Sequence, residues 1–378
     1  MRMLLVVIDS VNFHGGAHGA AWLMIDALVA RGWKVDVLTG ETPRDEMRRR
    51  LASCEIHVLE EAFPRKGLRF WVQGCCRRLR LGWVPNWTID PTGKWRRTIA
   101  AYETVLVIGE NSHLRNLVGS VEGPKKVVFI HTDYVAWRRA TSSNRRDARC
   151  DVWTYRHYDV IGVVGRSNAD RFAKFFPQFK DKVRSFHNLF HMTGRDGVLC
   201  RHGKTFRIVS FSRLNWGPPK ETNLSVRVAA KLKAMGLSFD WTIYGDGEVE
   251  EVARLKDYAQ RLGVENCFHM PGYASHAEAE ISTADVVTLF SAYEGLSNAI
   301  YEALLCGTPV IATNVGGASE QIQDGKTGRL VAVDADEIAA TLADVIQHRD
   351  ILDVWRGNLV GYAYDNEKVI SEYLEILS

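Results

Sequence analysis

Ser291-Ala-Tyr-Glu-Gly-Leu-Ser-Asn-Ala-Ile-Tyr-Glu-Ala-Leu-Leu-Cys-Gly-Thr-Pro-Val-Ile-Ala-Thr313 follows the apolar run Val286–Phe290 and ends in the apolar run Pro309–Ala312. The two runs are short and mostly apolar on both faces, which suits strands covered on both sides. Between them the chain has a polar loop with Glu294 and Gly295. A helix follows, starting at Ser297 or Asn298, residue types that cap helices, and running to about Cys306. Strand, loop, helix and strand in that order make one crossover of a parallel sheet.

The same alternation extends both ways. Candidate strands are Met3–Ile8, Lys34–Leu38, Ile56–Leu59, Thr104–Ile108, Val127–Ile130, Val160–Val164 and Val183–Phe186. Beyond a polar joint near residues 191–204 come Phe206–Phe211, Asp240–Tyr244, Cys267–Met270, Val286–Phe290 and Pro309–Ala312. Amphipathic segments such as Ala20–Ala30, Thr222–Met235, Val249–Leu262 and Ala335–Gln347 lie between them. The pattern predicts an α/β protein of two doubly wound, Rossmann-like domains facing each other across a cleft. The expected domains are 1–194 and 195–364, with a last helix in 365–378 packing back on the first.

Composition agrees with a two-domain globular chain. It has 378 residues, 46% apolar and 25% charged. The net charge of +3 conceals a split: residues 1–190 carry 31 Lys+Arg against 19 Asp+Glu, or +12, and residues 191–378 carry 17 against 26, or −9. Seven cysteines without a CxxC pair argue against a zinc framework and for reduced thiols. Met3–Ile8 is too short for a signal peptide and no run reaches the length of a spanning helix, so a cytoplasmic protein is expected.

Candidate chemistry follows the strands. Backbone N–H groups at the start of the helix after Glu294, with Gly295 allowing close approach, suit a phosphate. Glu294 and Glu302 flank that point and can accept paired hydroxyls. Arg213, just past a strand, and Lys220, seven residues on, suit a diphosphate. Gly245 lies in the turn Tyr244-Gly-Asp-Gly-Glu248, and Tyr273 ends Pro271-Gly-Tyr273. Asp334-Ala-Asp336 has metal-motif spacing but reads as a helix cap.

This ordered set resembles the retaining glycosyltransferases of the GT-B fold, family 4 (glycosyltransferases group 1), tightly over roughly residues 205–335. The resemblance implies a hexosyltransferase using a nucleoside-diphosphate sugar, with UDP favoured, and no metal or other cofactor. It implies that Arg213 and Lys220 bind the diphosphate and Glu302 the ribose. Glu294 would touch the sugar, the backbone of Gly295, Leu296 and Ser297 would hold phosphate and sugar, and Tyr273 would face the base. The interval from Arg213 to Lys220, lengthened by Gly217, Pro218 and Pro219, departs from the usual pattern. In the first domain the resemblance implies a loop at Gly15 and Gly16, before a helix at Ala20, beneath the donor. It also implies His131 against donor sugar or acceptor, where Asp133 can orient it.

Residues 65–97 hold nine Lys/Arg against one acid, Asp90, interleaved with Phe70, Trp71, Trp83, Trp87 and Trp95. That composition suits a peripheral anionic membrane surface. Trp137–Arg149 adds five arginines in a loop-like setting. Without any nucleic-acid motif, the expected partners are a sugar nucleotide and a glycan or lipid-linked acceptor at the inner membrane face, and no nucleic acid. Rival readings are a transferase for a soluble acceptor, an epimerase of the same fold, and a non-catalytic sugar-nucleotide-binding regulator.

Overall fold

The structure is a computed structural model, and it describes residues 2–12, 16–59, 67–78, 86–109, 114–140, 148–190, 205–274 and 276–378. The chain divides into two units, Met1–His191 with Asp365–Ser378, and Met192–Tyr364. The expected joint, residues 191–204, lies outside the described residues, as does Gly15.

The first unit holds β1 (Met3–Ile8), β2 (Lys34–Thr39), β3 (Ile56–Val58), β4 (Thr104–Ile108), β5 (Lys125–Ile130), β6 (Val160–Val164) and β7 (Val183–Phe186). They form one sheet in the order β3-β2-β1-β4-β5-β6-β7. Every ladder in it is parallel. Order reverses at β1, whose neighbours are β2 and β4. The helix Asn366–Leu377 belongs to this unit: Tyr373 donates its hydroxyl to the His187 carbonyl at 2.6 Å, and Glu372 accepts from the His187 N–H at 3.1 Å.

The second unit holds β8 (Phe206–Phe211), β9 (Phe239–Tyr244), β10 (Phe268–Gly272), β11 (Val286–Leu289), β12 (Val310–Thr313) and β13 (Gly328–Val331). Its parallel sheet runs β10-β9-β8-β11-β12-β13. Alternate residues of each strand enter opposite cores, as the pleat requires. Val286 and Ile311 join a cluster with Trp241, Leu232 and Ile338, while Val287, Val310 and Ala312 join one with Ile300 and Leu304. The chain order reverses between β8 and β11, so the carboxyl ends of these adjacent strands form the switch point where open α/β sheets bind ligands.

Two expectations need correction. The first helix spans Gly16–Val29 rather than starting at Ala20, so Gly16 opens the helix and Gly19 lies inside it. Part of the arginine stretch 137–149 is internal: Tyr134–Ala140 is helical, and Arg138 is buried against Asp151. Asp151 also pairs with buried Arg115 at 2.8 Å, and Arg115 donates to the Tyr155 hydroxyl at 3.0 Å. A carboxylate between two guanidiniums resolves a burial cost that none of the three could meet alone. Residues 141–147 lie outside the described set.

Candidate functional site

The loops after β8 and β11 start side by side, and contacts from four directions set their course. After β8, Ser212 N–H donates to Tyr244 carbonyl at 3.0 Å and Leu214 N–H to Asp246 carbonyl at 2.8 Å, joining this loop to the one after β9. That approach requires glycine. A Cβ on Gly245, whose φ is +151°, would stand 1.9 Å from the Ser212 carbonyl oxygen, and one on Gly247 2.1 Å from that of Leu214. Arg213 lies between these two anchors and is exposed.

The lengthened interval from Arg213 to Lys220 is clamped. Trp216 N–H donates to Glu251 Oε2 at 2.6 Å, and its ring packs on Tyr258 at 5.0 Å with the Arg254 guanidinium 3.7 Å above it. At the other end, Pro219 carbonyl accepts from Ala292 N–H at 2.8 Å. Lys220 therefore emerges beside the loop after β11, where its ammonium pairs with the Glu294 carboxylate. Ser291 Oγ donates to the same carboxylate at 2.7 Å. Ser291 is fixed in turn by Thr313, whose Oγ1 accepts from its N–H at 2.9 Å and donates to its carbonyl at 2.8 Å.

Gly316 and Gly317 press on the same loop from the β12 side. Gly317 N–H donates to Gly295 carbonyl at 2.9 Å. A Cβ on Gly316, at φ +58°, would meet the Glu294 carbonyl oxygen at 2.1 Å, and one on Gly317 would meet Leu296 Cδ2 at 2.5 Å.

The helix Asn298–Leu305 starts after Ser297, which occupies the cap position but forms no side-chain cap bond. Instead, buried Gln321 brackets its backbone: Oε1 accepts from Ser297 N–H at 3.0 Å and Nε2 donates to Ser297 carbonyl at 2.7 Å. Sequence reasoning missed Gln321, Ser291 and Thr313, because nothing local distinguishes them from ordinary polar residues. Glu302 lies in that helix. Its carboxylate reaches solvent but is crowded by the surrounding protein, and this desolvation, with Glu278 second, raises its pKa above the usual range. Tyr273 is exposed just past β10. Asp334 caps the helix Ala335–Gln347, accepting from the N–H groups of Asp336 and Glu337 at 2.9 and 3.0 Å.

In the first unit, His131 directly follows β5, with its ring edge-on to Phe186 at 5.1 Å. Its ring nitrogens are buried and make no hydrogen bond of normal geometry, although the Asn188 side chain comes close enough to favour the charged ring slightly. Burial and then nearby His18 outweigh that contact and push the pKa down to about 4, so the ring is neutral near pH 7. Asp133 does not orient it. Its Oδ1 accepts from Ala136 N–H at 3.1 Å and its Oδ2 pairs with Arg171 at 3.1 Å, because an acid three residues before a helical amide caps that turn. Glu41, also missed, lies two residues past β2 and accepts from the Asn12 N–H at 2.9 Å and the Ser10 hydroxyl, tying down the loop after β1. An acid just beyond the second strand was the available signal. Among the described residues one histidine–carboxylate group, Asp36, Glu55 and His57, has its ligand atoms within 4.8 Å of one another. Asp36 there already accepts from Tyr102 hydroxyl at 2.9 Å and Glu55 N–H at 3.0 Å.

Residues 205–348 match the family model described as glycosyl transferases group 1. The D-inositol 3-phosphate glycosyltransferase of Paenarthrobacter aurescens is 48% identical over 159 residues, 42% of this chain and 36% of that protein. The lipopolysaccharide core biosynthesis glycosyltransferase LpsE of Rhizobium meliloti is 28% identical over 141 residues, 36% of this chain and 41% of that protein. The matches thus span well under half the length of these curated relatives. The crystal structure of Anabaena HepE in complex with UDP covers 100% of this chain and 99% of its own, with TM-score 0.72 at 19% identity, a likeness of fold. Over residues 205–348, then, the chain matches the group 1 glycosyl transferases, and its two parallel-sheet, Rossmann-like units have the GT-B fold.

Proposed function

We propose that this chain is a retaining hexosyltransferase of family 4 that carries a sugar from a nucleoside diphosphate, with UDP favoured, to an acceptor hydroxyl. The observation that carries this reading is the Lys220–Glu294–Ser291 cluster, set at the switch point beside the start of the Asn298 helix. Lys220, Arg213 and the amide groups of that helix start take the charge that grows on the leaving diphosphate. Glu302 accepts the ribose hydroxyls, Glu294 holds the sugar, Gly295, Leu296 and Ser297 present backbone to it, and Gly245 and Tyr273 border the base. As the bond from the anomeric carbon to the diphosphate breaks, the acceptor oxygen bonds to the same face and its proton passes to the departing phosphate oxygen. His131, with Gly15 and Gly16, serves the sugar or acceptor. These cations meet the charge without a metal ion, and transfer is expected to survive EDTA.

The acceptor is a glycan precursor, lipid-linked or destined for the cell surface, at the cytoplasmic membrane face. The role of LpsE in lipopolysaccharide core biosynthesis, and the UDP in HepE, support this reading. Among the described residues no helix is long and apolar enough to cross a membrane. The proposed association is peripheral, through residues 65–97, on the ground of their nine cations and interleaved aromatics. The test is a thermal-shift panel of UDP, GDP, ADP and their glucose esters. A ligand at 100 times its Kd adds about 2.7 kcal/mol. A UDP-selective shift, lost in Glu302→Ala, supports the reading, and a flat panel refutes it.

A further inference from the structure

We propose that the helix Gly67–Arg78 docks the chain on an anionic lipid bilayer, with Leu68 and Trp71 entering the apolar interface. This rests on the membrane part of the reading above and gives it an element and a mode.

Among the helix's described side chains, an amide lies buried while a leucine and a tryptophan lie exposed. Its inward contact is Gln73, buried, whose Nε2 donates to the Thr88 carbonyl at 3.1 Å and to Thr88 Oγ1 at 3.3 Å. Cys76 is buried with it. Leu68, Trp71 and Cys75, spaced i, i+3 and i+7 on one face, are exposed, Leu68 by 72% and Trp71 by 71%. A helix that buries an amide and presents leucine and tryptophan outward needs an apolar phase on that side.

The charge around it selects the phase. Residues 65–97 hold nine cations and one acid, Asp90. Asp90 is buried, and its carboxylate accepts from the N–H groups of Trp95 and Arg96 at 3.3 and 2.9 Å and pairs with Arg96 Nε at 3.4 Å, so the stretch's one negative charge is spent on the start of the next helix. Lys94, Arg96 and Arg97 on that helix, Lys94–Ala100, are exposed. A stretch this rich in cations that also exposes a leucine and a tryptophan matches anionic headgroups over acyl chains. A nucleic acid offers the charge without the apolar phase. A symmetric second copy would set the same positive face against itself.

The full chain is sedimented with phosphatidylglycerol–phosphatidylcholine vesicles and with pure phosphatidylcholine vesicles, at low and high salt, beside the double variant Leu68→Ser/Trp71→Ser. Both changed residues are exposed, and a cooperative thermal melt without ligand reports whether the variant is folded. The proposal expects binding to the anionic vesicles only, weakened by salt, and about tenfold or more weaker in the double variant, since each residue loses its apolar transfer. Equal binding by the variant, or no preference for anionic vesicles, overturns it. So does binding to single-stranded RNA, or self-association in sedimentation velocity, that the double variant abolishes while vesicles are ignored. Vesicle binding without any nucleotide shift would leave the docking surface standing and refute the donor reading alone.

Discussion

Replacing Gln321 isolates how the second unit holds its helix start. Its carboxamide satisfies both the N–H and the carbonyl of Ser297, at 3.0 and 2.7 Å, and is only 4% exposed. Gln321→Ala leaves two buried backbone groups unpaired, each costing about 1–3 kcal/mol, less whatever water can enter the space. A net loss of about 3 kcal/mol is expected, or about 6–12 °C in the melting of a unit of this size. Because Ser297 has no side-chain cap, the loop at Gly295–Ser297 loosens with it, and UDP affinity falls further than stability alone explains. Gln321→Glu is the sharper probe. It keeps the acceptor for Ser297 N–H but sets a carboxylate oxygen against the Ser297 carbonyl. Its deficit should therefore shrink on acidification, when the introduced carboxyl can donate. Thermal melts and UDP calorimetry across pH measure both effects. If Gln321→Ala melts within about 1 °C of wild type, the bracket does not hold the helix start and the reasoning fails.

Other substitutions test separate links. Gly316→Ala places a Cβ 2.1 Å from the Glu294 carbonyl oxygen at φ +58°, whereas Gly325→Ala, at φ +73°, meets nothing nearer than 3.7 Å. Both carry the left-handed cost of about 1–2 kcal/mol, but only Gly316→Ala should also abolish the UDP shift. If Glu302 binds ribose when ionised, as proposed, its raised pKa means that UDP affinity should fall on acidification earlier than an ordinary glutamate would allow. Titrations of Glu302→Gln should be flat over that range, and a wild-type curve equally flat would contradict the role. His131 has its folded pKa lowered to about 4 from 6.5, so its neutral form stabilises the fold above pH 6.5. That contribution, about 3 kcal/mol, is lost as pH falls from about 6.5 towards 4. His131→Phe should lose less stability than wild type over that interval in urea unfolding, and identical losses would refute the burial argument.

Much of the fold was legible because its signals are local. Both-face apolar runs mark strands of a parallel sheet, and their alternation with amphipathic segments marks the crossovers. Expected strand boundaries mostly fell within a residue or two of the observed ones, as at β4, β6 and β8. The first helix was misplaced because glycines at Gly16 and Gly19 read as a turn, whereas tertiary packing of Ala20, Ala21 and Met24 carries the helix back through them. Asp133 was misread for a related reason. A carboxylate two residues from a histidine is near it in sequence, but the backbone turns it onto the next helix.

The α/β class, the order of the site-bearing loops and the excess of positive charge in the first half can be read from the residues alone. These depend on composition and on periods of two to four residues. The long-range pairings are visible only in three dimensions: Lys220 meets Glu294, 74 positions away, Gln321 in place of a cap side chain holds Ser297, and Asp90 is buried. Such pairings follow from strand order and from which loops leave adjacent strands, and no local period in a sequence encodes that order.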